Sequence, residues 1–309
     1  MQHLRTLESI SLPDSQITIG TYDGVHIGHL AIINPMVEQA HQRGVPAAVI
    51  TFYPHPAIVL KGIKEPVYLT APEERAEILA GTGIDFVITL KFDQNLAAMT
   101  SEAFMRLIHS HLRMKKLWVG YDFALGRDRL GDISNLQKLG HSLGYQVNVI
   151  PQVNINHEPV SSRLIRCLLE EGNITEASQK LGRLYSIQGK VVHGSGRGKD
   201  LGFSTANLDI WPEKLIPASG VYATWAWLDN RKYQSVTSVG YNPTFHDLLA
   251  KPRVEVYLLD FNQNIYGKEL RVEFVQYLRP ENRYSSVSDL QDQIAIDIIN
   301  SREVLSHAE

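Results

Sequence analysis

Gly20-Thr-Tyr-Asp-Gly-Val-His-Ile-Gly-His29 is the stretch whose reading decides the fold. It follows a short β-type run, Gln16-Ile-Thr-Ile19, and precedes an apolar-periodic segment with Leu30, Ile33, Met36, Val37 and Ala40. The expected local order is therefore strand, tight turn, helix. Gly20 and Gly24 let the backbone turn sharply and approach a ligand without a Cβ in the way. His26 and His29 are three residues apart and share one face of the helix's first turn once the helix has begun. That turn also carries backbone N–H groups without intrahelical partners and the positive end of the helix dipole, both suited to phosphate. Two histidines there can donate hydrogen bonds to oxygens that gain charge during nucleotidyl transfer. Gly20, Asp23 and Gly28 are the candidates for nucleotide contact within the motif. Asn34-Pro35 has the form of an N-cap followed by N1, so the helix either kinks there or starts later.

Outward from this motif, strand-like runs recur at residues 47–52, 86–90, 117–120 and 146–150, with helical patterns around 72–80, 101–113 and 131–143. Thr70-x-x-Glu73, with Pro72 at the helix start, has the form of a capping box. Continuous apolar strands separated by helices predict a doubly wound parallel sheet, which binds ligands beyond the carboxyl ends of its strands. The other motifs of this half follow that rule. Phe52-Tyr-Pro-His-Pro56 leaves the second strand, and its prolines fix an extended loop that either holds His55 toward a site or merely connects. Gly120-Tyr-Asp-Phe-Ala-Leu-Gly126 leaves the fourth strand and leads to Arg127, Arg129 and Gly131. Asp122 and the two arginines suit ribose and phosphate, or form an ordinary charged loop. Val160-Ser-Ser-Arg-Leu-Ile-Arg166 opens another helix, where Ser161 or Ser162 is a cap or a ligand contact. Arg166 either binds triphosphate or pairs with Glu170 at i+4.

Near residue 183 the periodicity changes to short strands: 185–188 with 191–192, 221–228, 235–239, 253–259 and 270–275. Turn residues such as Asp229-Asn230 and Asn262-Gln-Asn264 separate them. Many short antiparallel strands predict a closed barrel, and a last helix, Val287–Ser301, presents Leu290, Ile294, Ile298 and Ile299 for packing on it. Gly194-Ser-Gly-Arg-Gly-Lys199 is either a flap in which Arg197 and Lys199 close over phosphates or a charged surface turn. In Gly202-Phe-Ser-Thr-Ala-Asn207, Thr205 and Asn207 offer hard oxygens of the kind magnesium prefers, or serve a turn. Glu255 alternates with Val254 and Val256, so it takes the opposite strand face from its apolar neighbours.

The 309 residues suffice for two domains with their own cores. A hydrophobic content of 44% and a charged content of 20% are those of an ordinary soluble globular protein. The formal net charge of −3 offers no broad attraction for nucleic acid or an anionic membrane, so any phosphate site must be local. Cys167 is the only cysteine, which excludes an intramolecular disulfide and a cysteine-rich zinc site. Its apolar surroundings, Ile165-Arg-Cys-Leu-Leu169, predict a small core residue rather than a nucleophile. The first residues form neither a signal-peptide nor a membrane-spanning pattern, and the cytoplasm is the expected compartment.

The set Gly20…His29, Phe52…Pro56, Gly120…Gly126 and Ser161-Ser162…Arg166 resembles the adenylyltransferase domain of prokaryotic bifunctional riboflavin kinase/FAD synthetases. That family in turn resembles the nucleotidylyltransferases marked by His-x-Gly-His, here His26-Ile-Gly-His29. His193-Gly194, Gly202…Asn207, Gly220-Val-Tyr-Ala223, Val239…Phe245 and Glu255 resemble the family's flavokinase domain in the same order. Together the two resemblances cover almost the whole chain. They imply an FMN adenylyltransferase domain over residues 1–182 and a six-stranded riboflavin kinase barrel over 183–309. The implied reactions are riboflavin plus ATP to FMN, then FMN plus a second ATP to FAD and pyrophosphate. The implied partners are these small molecules, with neither nucleic acid nor membrane. On the same resemblance Thr205 and Asn207 bind Mg²⁺ and nucleotide phosphate, and Glu255 is the general base on the ribityl hydroxyl. Gly194, Arg197 and Lys199 belong to the nucleotide site. The sequence departs from the family pattern at Tyr22, where phenylalanine is usual, at Leu125 in place of an aromatic, at Arg163 in place of a third hydroxyl residue, and at Ser204 in place of proline. A paralogue with one surviving activity and a non-catalytic flavin- or nucleotide-binding regulator are the rival readings. Retention of His26, His29, Thr205, Asn207 and Glu255 speaks against the regulator.

Overall fold

The computed structural model describes residues 1–62, 68–194, 203–240 and 252–308. These form two compact units, Met1–Ser162 and Arg163–Glu309.

The first unit is built on a six-stranded sheet of β1 (Gln2–Leu4), β2 (Ser15–Ile19), β3 (Ala47–Tyr53), β4 (Phe86–Lys91), β5 (Met114–Gly120) and β8 (Gln146–Ile150). The spatial order is β1-β4-β3-β2-β5-β8, and every pairing is parallel. Apolar residues on both faces of the central strands β2, β3, β4 and β5 explain the burial. Ile17, Ile19, Ala48, Ile50, Ile88, Leu90, Leu117 and Val119 meet Phe104, Met105, Ile108 and Leu112 of α5 (Ser101–Leu112) and Leu136 of α6 (Ile133–Leu143). Ala47, Val49, Val87 and Trp118, one step along the pleat, meet Ile33, Met36, Val37 and Ala40 of α1 (Ile27–Gln42) and Ala76 and Leu79 of α3 (Pro72–Ala80). The doubly wound arrangement expected from sequence is therefore present. Because all strands run one way, their carboxyl ends and the loops that follow share one edge of the sheet. Two hairpins, β6–β7 (Ala124–Leu125, Gly131–Asp132) and β9–β10 (Asn154–Ile155, Glu158–Pro159), follow β5 and β8.

Several local expectations are corrected. Helix α1 starts at Ile27 and runs through Pro35, with His26 rather than Asn34 as its N-cap. The four buried apolar residues of α1 offset the hydrogen bond that Pro35 cannot make. Only half of the expected capping box forms, one residue later: Ala71 is the N-cap of α3 and has no side-chain acceptor, while Glu74 Oε2 accepts from its backbone N at 3.1 Å. Thr70 is unavailable for capping because its hydroxyl faces Asp23 and Gly24. The loop after β3 is brief, since α2 (Pro56–Lys61) begins directly after His55. Strand β1 carries too short and too polar a pattern to be seen in sequence.

In the second unit, α7 (Ser162–Glu170), which begins at the unit boundary, and α8 (Ile174–Leu181) precede the barrel strands. These are β11 (Tyr185–Val192), β12 (Ala206–Ile210), β13 (Gly220–Leu228), β14 (Arg231–Gly240), β15 (Arg253–Leu258) and β16 (Glu269–Arg279). They close in the order β11-β12-β15-β14-β13-β16, every pair antiparallel. Asp229 and Asn230, both with positive φ, form the two-residue β13–β14 turn. Helix α8 packs on β11 and β16, so the second compact unit begins before the change of sequence pattern. Strand β12 is not among the strands expected from sequence, although Ala206, Leu208 and Ile210 alternate with Asn207 and Asp209.

The last helix, α9 (Val287–Ser306), packs on β13, β14 and β16. Its buried residues are Asp297, Ser301 and Leu305, whereas Ile299 is 64% exposed. The rotation is set by Arg279, whose Nε and Nη2 donate to the two oxygens of Asp297 at 2.8 and 2.6 Å, turning Ile299 outward. Cys167 is exposed, not a core residue, because Ile165, Leu168 and Leu169 supply the buried face of α7.

Candidate functional sites

In the first unit the site begins where β2 ends. The turn carries positive φ at Tyr22 (48°), Gly24 (81°) and Val25 (40°), a costly run for a tyrosine and a β-branched valine. Gly24 meets the conformational demand directly. Gly20 serves a different purpose: a Cβ there would sit 2.9 Å from the Tyr22 ring. Tyr22 is buried, its hydroxyl against Thr18 Oγ1, and burial pushes its pKa well up, so it stays neutral. Its ring edge meets His29 at 4.9 Å between centroids.

His26 and His29 stack at 3.5 Å with 18° between planes, as expected of residues on one face of a first helical turn. His26 Nδ1 accepts from the His29 backbone N at 3.3 Å, so the proton of a neutral His26 ring lies on Nε2. Gly28 leaves room for this ring, since a Cβ would come within 3.1 Å of it.

Asp23 does not present its carboxylate to solvent. It is fully buried, and its oxygens accept from Leu69 N (3.0 and 3.1 Å), Thr70 N (3.1 Å) and Thr70 Oγ1 (3.3 Å). Ser162 Oγ donates to the Asp23 carbonyl at 2.8 Å, so Ser162 holds the turn from its other side. His55 Nδ1 accepts from Ala57 N at 3.1 Å, capping α2, while its backbone N donates to Tyr68 Oη at 2.5 Å. Segment 68–70 thereby joins the loop after β2 to the loop after β3. Asp122 is exposed just past the carboxyl end of β5, with Arg129 Nη2 donating to its backbone carbonyl at 3.2 Å. Ser161 is exposed beside Ser162, and Arg166 lies one turn into α7 in the second unit.

In the barrel, two of the candidate side chains sit on paired strands. Asn207 of β12 lies directly opposite Glu255 of β15, and Glu255 lies opposite Ser238 of β14. Thr205 Oγ1 donates to Glu255 Oε2 at 3.1 Å, and Arg253 Nη1 reaches Oε1 at 3.3 Å. A Cβ on Gly194 would overlap the Asn207 amide, so this glycine makes room for that side chain. Four predicted residues, Gly194, Thr205, Asn207 and Glu255, thus converge. The row continues to Glu281, which accepts from Ser238 Oγ at 3.0 Å and Ser219 Oγ at 3.4 Å. Arg197 and Lys199, with Gly202 and residues 241–245, lie outside the described residues. Among the described residues no group of three or more His, Cys, Asp or Glu is arranged to hold a metal, and no helix is long and apolar enough to cross a membrane.

Comparisons with known proteins match both halves of the chain. The family profile described as FAD synthetase matches residues 9–164, and the one described as riboflavin kinase matches 181–305. A bifunctional riboflavin kinase/FMN adenylyltransferase from Listeria monocytogenes is 34% identical over 294 residues, 95% of this chain and 93% of its own length. The Escherichia coli K12 protein of the same description is 34% identical over 308 residues, 98% of this chain and 97% of its own. The chain belongs to the bifunctional riboflavin kinase/FMN adenylyltransferase family. Among solved structures, a Streptococcus pneumoniae crystal structure described as a macrolide-efflux protein matches with a TM-score of 0.88 and 30% identity, covering 97% of this chain and 98% of that one.

Sequence reasoning gives Thr70 only a capping role and does not single out Arg75, Ser238 or Glu281 in this family member. Glu73-Glu74-Arg75 has the look of a solvated helix start, yet Arg75 is 1% exposed. The one available sign was position: Arg75 falls on the α3 face that also carries Ala76 and Leu79.

Proposed function

We propose that each unit runs one of the family's two reactions with the residues gathered in it. The barrel, within residues 183–309, phosphorylates riboflavin with ATP to give FMN. The sheet domain, within residues 1–182, joins FMN to the adenylyl group of a second ATP, giving FAD and pyrophosphate. The observation that carries this reading is that each unit brings together central members of its own predicted set. His26 and His29 stack at the N-terminus of α1, and Asn207 stands in register with Glu255 beside Thr205.

In the kinase reaction the terminal ribityl oxygen attacks the γ-phosphorus, the β–γ bridging oxygen leaves with its electron pair on ADP, and Glu255 takes the hydroxyl proton. Arg253 and Thr205 orient its carboxylate. Thr205 and Asn207 would hold Mg²⁺: both are hard oxygen donors, and the space kept open at Gly194 fits an Asn207 amide turned to such use. Magnesium, when bound, supplies charge neutralisation on the phosphates. Gly194, Arg197 and Lys199 serve the nucleotide of this site.

In adenylyl transfer a phosphate oxygen of FMN attacks the α-phosphorus and pyrophosphate departs. That oxygen is already anionic, so little base catalysis is needed. His26, its proton on Nε2, and His29 donate to oxygens on which charge accumulates. Gly20 and Gly28 leave room for the Tyr22 and His26 rings, Asp23 acts only through the turn it fixes, and His55, Asp122, Ser161 and Ser162 serve phosphate or ribose. A need for ATP in both steps fits a cytoplasmic enzyme.

The test is incubation of the purified chain with riboflavin, ATP and Mg²⁺, with flavins separated by chromatography. FMN followed by FAD is expected. FMN alone, or FAD only from supplied FMN, would reduce the protein to one activity.

A further inference from the structure

We propose that Arg75 is a positioning residue for adenylyl transfer, acting through the turn that carries His26 and His29; this rests on those two histidines serving that reaction. Its side chain is 1% exposed, so it holds protein groups rather than substrate. Nη1 donates to the carbonyl of Thr21 at 2.7 Å, to Thr51 Oγ1 at 3.0 Å and to the carbonyl of Phe52 at 3.5 Å. Nη2 donates to the carbonyl of Thr70 at 3.3 Å and lies 3.6 Å from Asp23 Oδ1, and Nε donates to Thr70 Oγ1 at 3.4 Å.

These acceptors belong to three separate segments: the turn after β2, the end of β3 and the lead-in to α3. Each borders the site. The first contains the positive-φ run at Tyr22, Gly24 and Val25, a conformation that persists only where its surroundings over-determine it. Asp23 and the Gly24 backbone N, which donates to Thr70 Oγ1 at 3.0 Å, supply that constraint, and Arg75 ties both to β3. A buried guanidinium with a buried carboxylate is a costly arrangement that adds little net stability over apolar packing. Its planar fork fixes several acceptors at set angles, which an ammonium cannot do. The arrangement therefore holds His26 and His29 in place relative to the loop after β3.

The experiment uses the full chain with Arg75→Lys, Arg75→Met and Thr51→Val, the last removing one acceptor of Arg75 together with that hydroxyl's own donation to the Thr21 carbonyl at 2.8 Å, without touching charge. kcat and KM for FAD formation are measured beside riboflavin phosphorylation and a thermal melt. Misplacing reacting groups by about 1 Å costs roughly 10²-fold in rate. Folded Arg75→Met is expected to lose about that much kcat for FAD formation with kinase turnover unchanged. Arg75→Lys should recover part of the loss, and Thr51→Val should show a smaller one in the same direction. A drop in kcat larger than any rise in KM is the positioning signature. If Arg75→Met fails to fold, Arg75→Lys and Thr51→Val carry the same decision. FAD formation within threefold of wild type in the folded variants overturns the inference. His29→Ala separates this from the underlying assignment: unchanged FAD formation there removes the site itself, whereas its loss with active Arg75 variants removes only the role of Arg75.

Discussion

The sheet unit builds its site from loops, whereas the barrel builds its site from strands. In the first, the candidate residues His26, His29 and His55 follow the ends of parallel strands whose own hydrogen bonds stop before these residues begin. Their placement falls to buried polar ties: Asp23 on the Leu69 and Thr70 amides, Arg75 on Thr21, Thr51 and Phe52. In the second, Asn207, Glu255 and Ser238 stand opposite one another because antiparallel pairing puts them there. A ladder fixes side-chain separation through backbone hydrogen bonds on both sides. In this protein the loop residues are tied by a buried charged pair, whereas the ladder residues are aligned by strand register.

The largest effect expected on the strand-held side is that of Glu255→Gln. It preserves size and hydrogen bonding but removes the proton acceptor, and loss of general-base assistance costs about two to four orders of magnitude in rate. Riboflavin phosphorylation at saturating substrate should fall accordingly, while supplied FMN is still converted to FAD and the melt is unchanged. Near-normal kinase turnover in the folded variant would make Glu255 a structural acid.

On the loop-held side, His29→Ala removes a charge-stabilising donor, for which roughly 3 kcal/mol is typical. FAD and pyrophosphate formation should drop about a hundredfold with FMN formation intact. A matching loss of kinase activity would show that the two sites are not independent.

Excision sharpens the contrast further. A site held by register should survive in a fragment that keeps the barrel and its packing helices. Residues 163–309 are expected to fold and phosphorylate riboflavin. The shorter fragment 183–309 loses α8, whose buried Ile174 and Leu181 contribute about 1.5–3 kcal/mol each. Parallel melts should show the shorter fragment less stable by a few kcal/mol; equal melting temperatures would put the functional boundary at residue 183.

The smallest effect belongs to Tyr22→Phe. It removes a buried hydroxyl whose partner, Thr18 Oγ1, still donates to the Trp118 carbonyl at 2.7 Å. A cost near 1 kcal/mol in stability and FAD formation within twofold are expected, since neutral hydrogen bonds contribute about that much. A large catalytic loss would instead place the phenol in the site.

Local pattern alone determined the parallel sheet, the strand-turn-helix around Gly20–His29 and the existence of an antiparallel barrel. Alternation and helical period are properties of a few consecutive residues, and Ile17, Val49, Ile50 and Leu117 declare their burial within such a window. The tertiary structure decided what long-range contacts govern. Ala206–Ile210 alternates apolar and polar residues over only five positions, and pairing with β11 and β15 on either side makes it a strand. Helical period showed that α9 has a packed face, but the ion pair with Arg279 turned that face toward Asp297 and away from Ile299. Asp23 and Arg75 carry charges that sequence assigns to a ligand or to solvent. Each is buried because its partners, dozens of residues away in the chain, meet it only once the sheet has formed.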